Sequence, residues 1–417
     1  MKNILRSILF GISFYSTQVF GQITLEECQT KARENFPLIQ QYELIEQTRE
    51  YTLSNAGKAF LPQLDVTLIG GVIEGLPSFG APGSESSSTE FNMISMVQFN
   101  QVIWDGGLTK ASKAATTANA EIEKANLEVS LYSLEERVNN LFFGVLLIEE
   151  QIAQMEILKS TLQRNMKRVE VAVENGTAFK SDIDEIKVEV INVDQKVAEL
   201  QFNKKAYLNV LAAMIGETIP PKTKLERPAI DDSFIALENN RPELNLYQNQ
   251  EFLIEAKSNI DKAMLYPKIG IMGIGTFIQP GVDFGTSKLN NILVGGLSLN
   301  WTLGNLYQNN NNKKLTEINL QKVKVQRETF LFNTNLELTQ TQQELDKFKT
   351  LIDQDKELLT LKSGIKQAYE VKYENGVSTM SQLLDKVNDE NAAKQNLIMH
   401  EIQYLMKVYQ YKNKSGN

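Results

Sequence analysis

One cysteine and one histidine are all that 417 residues supply of the two most versatile reactive side chains. Cys28 has no partner for an internal disulfide, and His400 lies near the opposite end of the chain. Cys28 falls on an amphipathic stretch, where a small buried hydrophobe is the expected role. His400 falls on the last helical stretch, with a packing or surface role. A glycine-rich phosphate loop, spaced histidine ligands and a Gly-x-Ser-x-Gly nucleophile are also missing. The residues therefore point to no enzyme chemistry, no cofactor and no metal site.

Long apolar runs are equally scarce. The longest after the N-terminus, residues 141–148, falls far below the ~18 residues that a membrane-crossing helix needs. Any crossing of a bilayer would have to be made by strands. Basic residues are outnumbered, 43 against 51 acidic, for a net charge of −8. An acidic chain does not suit nucleic acid, where binding draws its strength from neutralised phosphates. Residues 1–21 read as a secretory signal, with Lys2 and Arg6 before a mostly apolar stretch and small residues before Gln22. Its removal would take the basic count from 43 to 41 and the net charge to −10.

What the chain does have, it has twice. Glu174-Asn175-Gly176 recurs as Glu374-Asn375-Gly376, 200 residues later. Asn35-Phe36-Pro37 and Pro62 recur as Asn240-Arg241-Pro242 and Pro267, 205 residues later. A period this long marks a duplicated half-protein and not a solenoid unit. The halves are residues 22–220 and 221–417. Each reads as a short helix, a strand pair, a very long helix, a turn and a returning helix.

The long helices carry coiled-coil seams. Between Leu108 and Glu174 there is no proline, and Gly144 is the one helix-weakening residue. Every seventh residue from Leu127 to Val169 is apolar, and a companion series from Leu131 to Val173 is broken only by Lys159. That 3-4 alternation is the pattern of a left-handed coiled coil, here roughly 100 Å long at 1.5 Å per residue. The second half repeats it with Leu331, Leu338, Leu345, Ile352 and Leu359. Its companion positions are Thr334, Thr341, Phe348 and Asp355, so a narrower apolar stripe is expected. Gly176 and Gly376 are placed to end these helices in the left-handed conformation. Returning helices are expected over 180–215 and 381–412, and leading helices over 24–59 and 232–263, the latter two ended by Pro62 and Pro267.

Between the leading and long helices the period changes to two. Strands are expected at about 64–74 and 91–104 in the first half, and at about 269–277 and 291–302 in the second. Residues 80–88 form a polar Gly/Ser/Pro loop. Leu293, Leu297, Leu299 and Trp301 share one strand face, with Ser298 and Asn300 opposite. Such strands fit a bilayer-crossing barrel. Four of them cannot close one, because small barrels need about eight, and open edges are untenable in lipid. Several copies must then share a barrel.

Three groups of residues carry a family resemblance. They are Ile23-Thr24-Leu25-Glu26-Glu27-Cys28, Leu61-Pro62-Gln63-Leu64 with Asn35-Phe36-Pro37, and Val102-Ile103-Trp104-Asp105-Gly106-Gly107. The second half adds Arg241-Pro242-Glu243-Leu244, Trp301-Thr302-Leu303, and Tyr373-Glu374-Asn375-Gly376-Val377-Ser378-Thr379 ahead of Leu383-Leu384-Asp385. In this order, and duplicated, they make the chain resemble the TolC family of outer-membrane efflux channels. The resemblance implies a mainly α chain with a membrane β-barrel portion. It implies a homotrimer sharing a twelve-stranded barrel in outer-membrane lipid, continued by a periplasmic α-helical barrel. Function would be passive: the exit duct of a tripartite efflux or secretion system, fed by an inner-membrane pump through a periplasmic adaptor. The family's acidic Asp-x-x-Asp at the periplasmic aperture falls on Gln382 and Asp385, so one carboxylate is replaced. The equivalent first-half positions are Asp182 and Glu185. Asn175, Gly176, Asn375 and Gly376 sit where the family meets its adaptor, and a plain helix-ending role fits them equally. The rival reading is a soluble periplasmic coiled-coil adaptor. Adaptors carry one helical hairpin between Gly-rich lipoyl-like halves, whereas this chain has two hairpins and no such halves.

Overall fold

Proline sets where two of the helices of this protein begin. The computed structural model describes residues 23–72, 91–220, 223–229, 239–283 and 288–417, so the expected signal segment and the 80–88 loop lie outside the described residues. The elements run α1 (Leu25–Asn35), α2 (Gln41–Gly57), β1 (Gln63–Val72), β2 (Phe91–Trp104), α3 (Leu108–Glu174), α4 (Lys180–Ile215), α5 (Pro242–Ala263), β3 (Lys268–Asp283), β4 (Lys288–Asn300), α6 (Gly304–Glu374) and α7 (Met380–Ser415). The single helix expected over 24–59 is in fact two. Phe36, the residue before Pro37, is extended at φ −71°, ψ 125°, because the proline ring crowds the helical conformation of its predecessor. A 3-10 turn over Pro37–Gln40 then leads into α2, and a second over Lys58–Phe60 ends it before Pro62. The helix expected from residue 232 begins instead at Pro242, which occupies its first turn, where a missing N–H costs nothing.

Strand limits also shift. β1 starts at Gln63 and is described to Val72, β3 runs on to Asp283 past a register shift after Phe277, and β4 covers Lys288–Asn300 and not 291–302. The expected limits of β2, α3 and α4 hold.

Packing divides the chain differently from the repeat. One compact unit takes the described residues of Met1–Phe36, Leu134–Ala236 and Gln340–Asn413. The other takes those of Pro37–Ser133, Leu237–Thr339 and Lys414–Asn417. Each therefore draws on both sequence halves.

The first unit is helical and its core follows the predicted seam. Leu134, Val138, Phe142, Phe143 and Val145 of α3 pack with Leu25 and Cys28 of α1, Leu208 and Leu211 of α4, and Ile402 and Leu405 of α7. Cys28 is fully buried, as a small hydrophobe, and burial pushes its thiol up to about 12. Gly144 has a packing reason. A Cβ there would lie 2.5 Å from the Tyr207 ring of α4, so glycine lets the two helices approach. A second cluster, with Leu158, Leu162, Val169, Ile186 and Val193, continues the α3–α4 seam toward its far end, joined there by Met380, Leu383 and Val387 of α7.

α6 buries the polar positions that the sequence placed on its companion seam. Thr341 is 2 % exposed and Asp355 8 %. Asp355 Oδ2 lies 2.5 Å from His400 Nδ1 of α7. His400 therefore packs, and it does so by partnering a buried carboxylate.

The second unit holds the sheet. The four strands of the described residues pair antiparallel in the order β1-β2-β3-β4, and among those residues β1 and β4 are open edges. β2 passes into α3 through Asp105, buried at 8 % exposure. Its carboxylate accepts from the N–H groups of Gly107 at 2.9 Å and Thr109 at 2.6 Å, while Gly106 and Gly107 take positive φ. In the second half, which has no aspartate here, Asn305 Nδ2 donates to Met264 O and Trp301 Nε1 to Leu265 O.

The duplication is legible in tertiary contacts. In the first unit, Asn35 Nδ2 donates to Ala213 O and Met214 O at the end of α4, against Gly216 at φ 72°. In the second, Asn240 N–H donates to Ser415 O at the end of α7, beside Gly416 at φ 81°. Each returning helix is thus ended on the asparagine of the repeated Asn-x-Pro motif.

Candidate functional site

Each long helix of the first unit ends in the same way. Gly176 and Gly376 take φ 72° and 70°, in the left-handed region where glycine avoids the Cβ clash. Gly176 N–H donates to Val173 O and Thr177 N–H to Ala172 O, at 3.0 and 2.8 Å. Gly376 and Val377 repeat the pair with Tyr373 O and Lys372 O, at 2.9 and 2.8 Å. This double bond pattern satisfies carbonyls that the helix end would otherwise leave bare. Asn175 and Asn375 are the exposed residues just before the glycines, and Asn375 Nδ2 donates back to Val371 O at 2.7 Å.

The returning helices start with matched caps. The Asp182 carboxylate accepts from the Phe179 N–H at 3.1 Å. Two hundred residues on, Gln382 Oε1 accepts from Thr379 N–H at 3.1 Å, and Thr379 Oγ1 accepts from Gln382 N–H at 3.2 Å. That is a reciprocal capping box. Asp182 and Gln382 thus have a structural task, which a neutral amide performs as well as a carboxylate. Glu185 and Asp385, one helical turn further on, are exposed.

Between the two tips opens a cleft of about 590 Å³. Its floor is apolar (Val169, Met380 and Leu383) and its rim polar, with Asp182, Glu374 and Thr379. Arg168 reaches Glu374 across the tips at 3.6 Å, an exposed pair worth little in stability. Tyr373 lines the cleft, and burial, helped by the charges of Asp182 and Glu185, pushes its phenol up. Two large apolar side chains stand in solvent beside it, Phe179 at 76 % and Val377 at 74 % exposure. Of the residues singled out from the sequence, Asp182, Asn375 and Gly376 line this concavity, while Asn175, Gly176, Glu185, Gln382 and Asp385 are not part of its lining. Sequence reading missed Phe179 and Arg168. The only pointer was their place beside a duplicated Asn-Gly turn.

The second unit offers a different surface. Paired residues of an antiparallel ladder point to one side. The ladders put Leu64, Val66 and Leu68 of β1 on one face with Val97 and Phe99 of β2, Ile269 and Ile271 of β3, and Leu293, Leu297 and Leu299 of β4. On that face no charged residue occurs among the described side chains. Leu293 and Leu297 are 87 % and 81 % exposed. The opposite face carries Gln63, Asp65, Gln98, Asn100, Lys268, Ser298 and Asn300.

No protein-family model matches the sequence, nor does any curated protein. Solved structures do match over nearly the whole chain. CusC superposes with a TM-score of 0.68 at 14 % identity, over 94 % of this chain and 92 % of that one. The CmeC outer membrane channel of Campylobacter jejuni gives 0.64 at 12 % identity, over 94 % and 85 %. The MtrE outer membrane channel of Neisseria gonorrhoeae, in its open state, gives 0.65 at 14 %, over 94 % and 89 %. The chain has the fold of these outer-membrane channels, the fold that its resemblance to the TolC family implied.

Proposed function

We propose that the protein is the outer-membrane exit duct of a tripartite efflux or secretion system, conducting cargo passively from periplasm to exterior. The observation that carries this is the open four-stranded sheet. Among the described residues one of its faces is mainly apolar and uncharged and its two edges are unpaired, and it is built into a fold shared with outer-membrane channels. Unpaired edges in lipid would each cost several kcal/mol per bare amide, so β1 of one copy pairs with β4 of the next. Three copies close twelve strands, a number within the range of membrane barrels. A soluble adaptor has no use for such a face.

The helix tips are the entrance. Phe179 and Val377, exposed beside the apolar-floored cleft, are the docking points for a periplasmic adaptor. Glu185 and Asp385 line the periplasmic aperture. With Gln382 neutral, Asp385 supplies the second-half carboxylate there alone, and its three copies attract divalent cations. Replacing Asp385 with Ala is expected to weaken divalent-cation block of single-channel current, and unchanged block would remove it from the duct wall.

The overall reading is tested by fractionation and mass. The protein should partition with the outer membrane, require detergent for extraction and run as a trimer in light scattering. A monodisperse monomer released with the periplasm would overturn it.

A further inference from the structure

The sheet face opposite the lipid-facing one is not uniformly polar, and its two ends differ. Strand register resolves it into rows across the sheet. Nearest the helices stand Lys268 with Asn300, then Val102 with Ser298, then Gln63 and Asn100 with Met272, then Asp65 and Gln98 with Ile274 and Val294, so every row there but the second keeps at least two polar or charged side chains. Toward the hairpin ends the composition changes. Thr67, Met96, Thr276 and Ile292 form one row, and beyond it Ile69, Ile94 and Ile278 stand side by side. A water-filled barrel normally has a polar inner wall, and nothing in strand formation demands isoleucine on both faces at once. Ile69 is 54 % exposed, and Ile94 and Ile278 are half-buried, so the row is not buried within the chain.

We infer that this row is a binding collar inside the duct for lipophilic organic cations in transit. The inference rests on the barrel reading above, in which this face becomes the inner wall and three copies set nine isoleucines around it. Cargo with an apolar body gains by shedding water against the collar, roughly in proportion to the area covered. A cation is favoured because Asp65 lies on the same face four residues before Ile69, about 13 Å along the strand. The basic group of that face among the described side chains, Lys268, is ten residues from Ile278 of the collar, about 33 Å away. The twelve-stranded wall is too wide for isoleucines to shut. The collar therefore retains such molecules briefly and does not gate them.

Single-channel recording of the purified full-length protein in planar bilayers tests this, with tetraphenylphosphonium and tetramethylammonium as probes. Tetraphenylphosphonium is expected to produce discrete block events that tetramethylammonium does not. In the Ile94→Thr/Ile278→Thr double variant, which keeps β-branching, block residence time should fall about tenfold. In Asp65→Asn, block should begin less often without shortening. Equal behaviour of the two cations on the wild type would overturn the collar, and that comparison holds even if the variants fail to assemble. Unshortened block in the double variant would overturn it as well. Wild-type protein that yields no conductance steps would instead sink the duct reading beneath it.

Discussion

Gln382 shows how one side chain can satisfy a local rule while departing from an expected chemical one. Its amide oxygen accepts the Thr379 N–H as Asp182 accepts that of Phe179. The position needs an acceptor of suitable reach, and charge is optional there. Gln382→Ala should cost about 1 kcal/mol in thermal unfolding of the helical unit, the usual worth of a cap. Gln382→Glu should be near neutral, since glutamate completes the same box. Asp105 makes the complementary point. Burial raises its pKa, yet the hydrogen bonds from Thr109 and Gly107 outweigh it and hold the carboxyl below its ordinary 3.8. A folded pKa below the unfolded one means stability that is present above about pH 4 and lost as pH falls through the folded value. Asp105→Asn should therefore be less stable than wild type at neutral pH, with the gap closing on acidification. A gap that stayed constant from pH 7 to pH 2.5 would deny the carboxylate its charged role.

Among the elements, the two long helices solve the same problem with different material. α3 closes its seam with aliphatic residues, and Leu162 and Val138 are fully buried. α6 closes part of its seam through Asp355 and His400, so removing one partner strands the other in a largely buried site. His400→Leu is expected to cost about 1–3 kcal/mol. The double variant Asp355→Leu/His400→Leu should recover much of that, because paired apolar side chains leave no bare polar group. A denaturant-melt double-mutant cycle measures the coupling, and additive losses would show the contact to be energetically idle. The heptad series was readable because burial repeats along one helix, and so the limits of α3 and α4 hold. The break after Asn35 was written there too, in Pro37, but a strong run of helix formers on both sides masked it. The partner of Asp355 was not readable, since it lies 45 residues away on another helix.

For the whole molecule, the decisive surface is the charge-free face of the sheet. Leu293→Arg, on that face, should destabilise the assembled protein by about 2–4 kcal/mol and lower its recovery from the outer membrane. Ser298→Arg, on the opposite face of the same strand, should be recovered close to wild type. Equal recovery of both variants would mean that the sheet does not face lipid with the side assigned to it.

The sequence alone determined the duplication, the long helices, the strand pairs and the glycine-ended turns. The duplication is a repeat in the sequence itself, and the others follow from interactions between residues a few positions apart, whose spacing is the signal. Only the tertiary structure decided which strands neighbour each other, how Asn35 and Asn240 end the returning helices, and that two tips 200 residues apart enclose one cleft. Those contacts join distant segments, and a one-dimensional pattern carries no record of which distant segments meet.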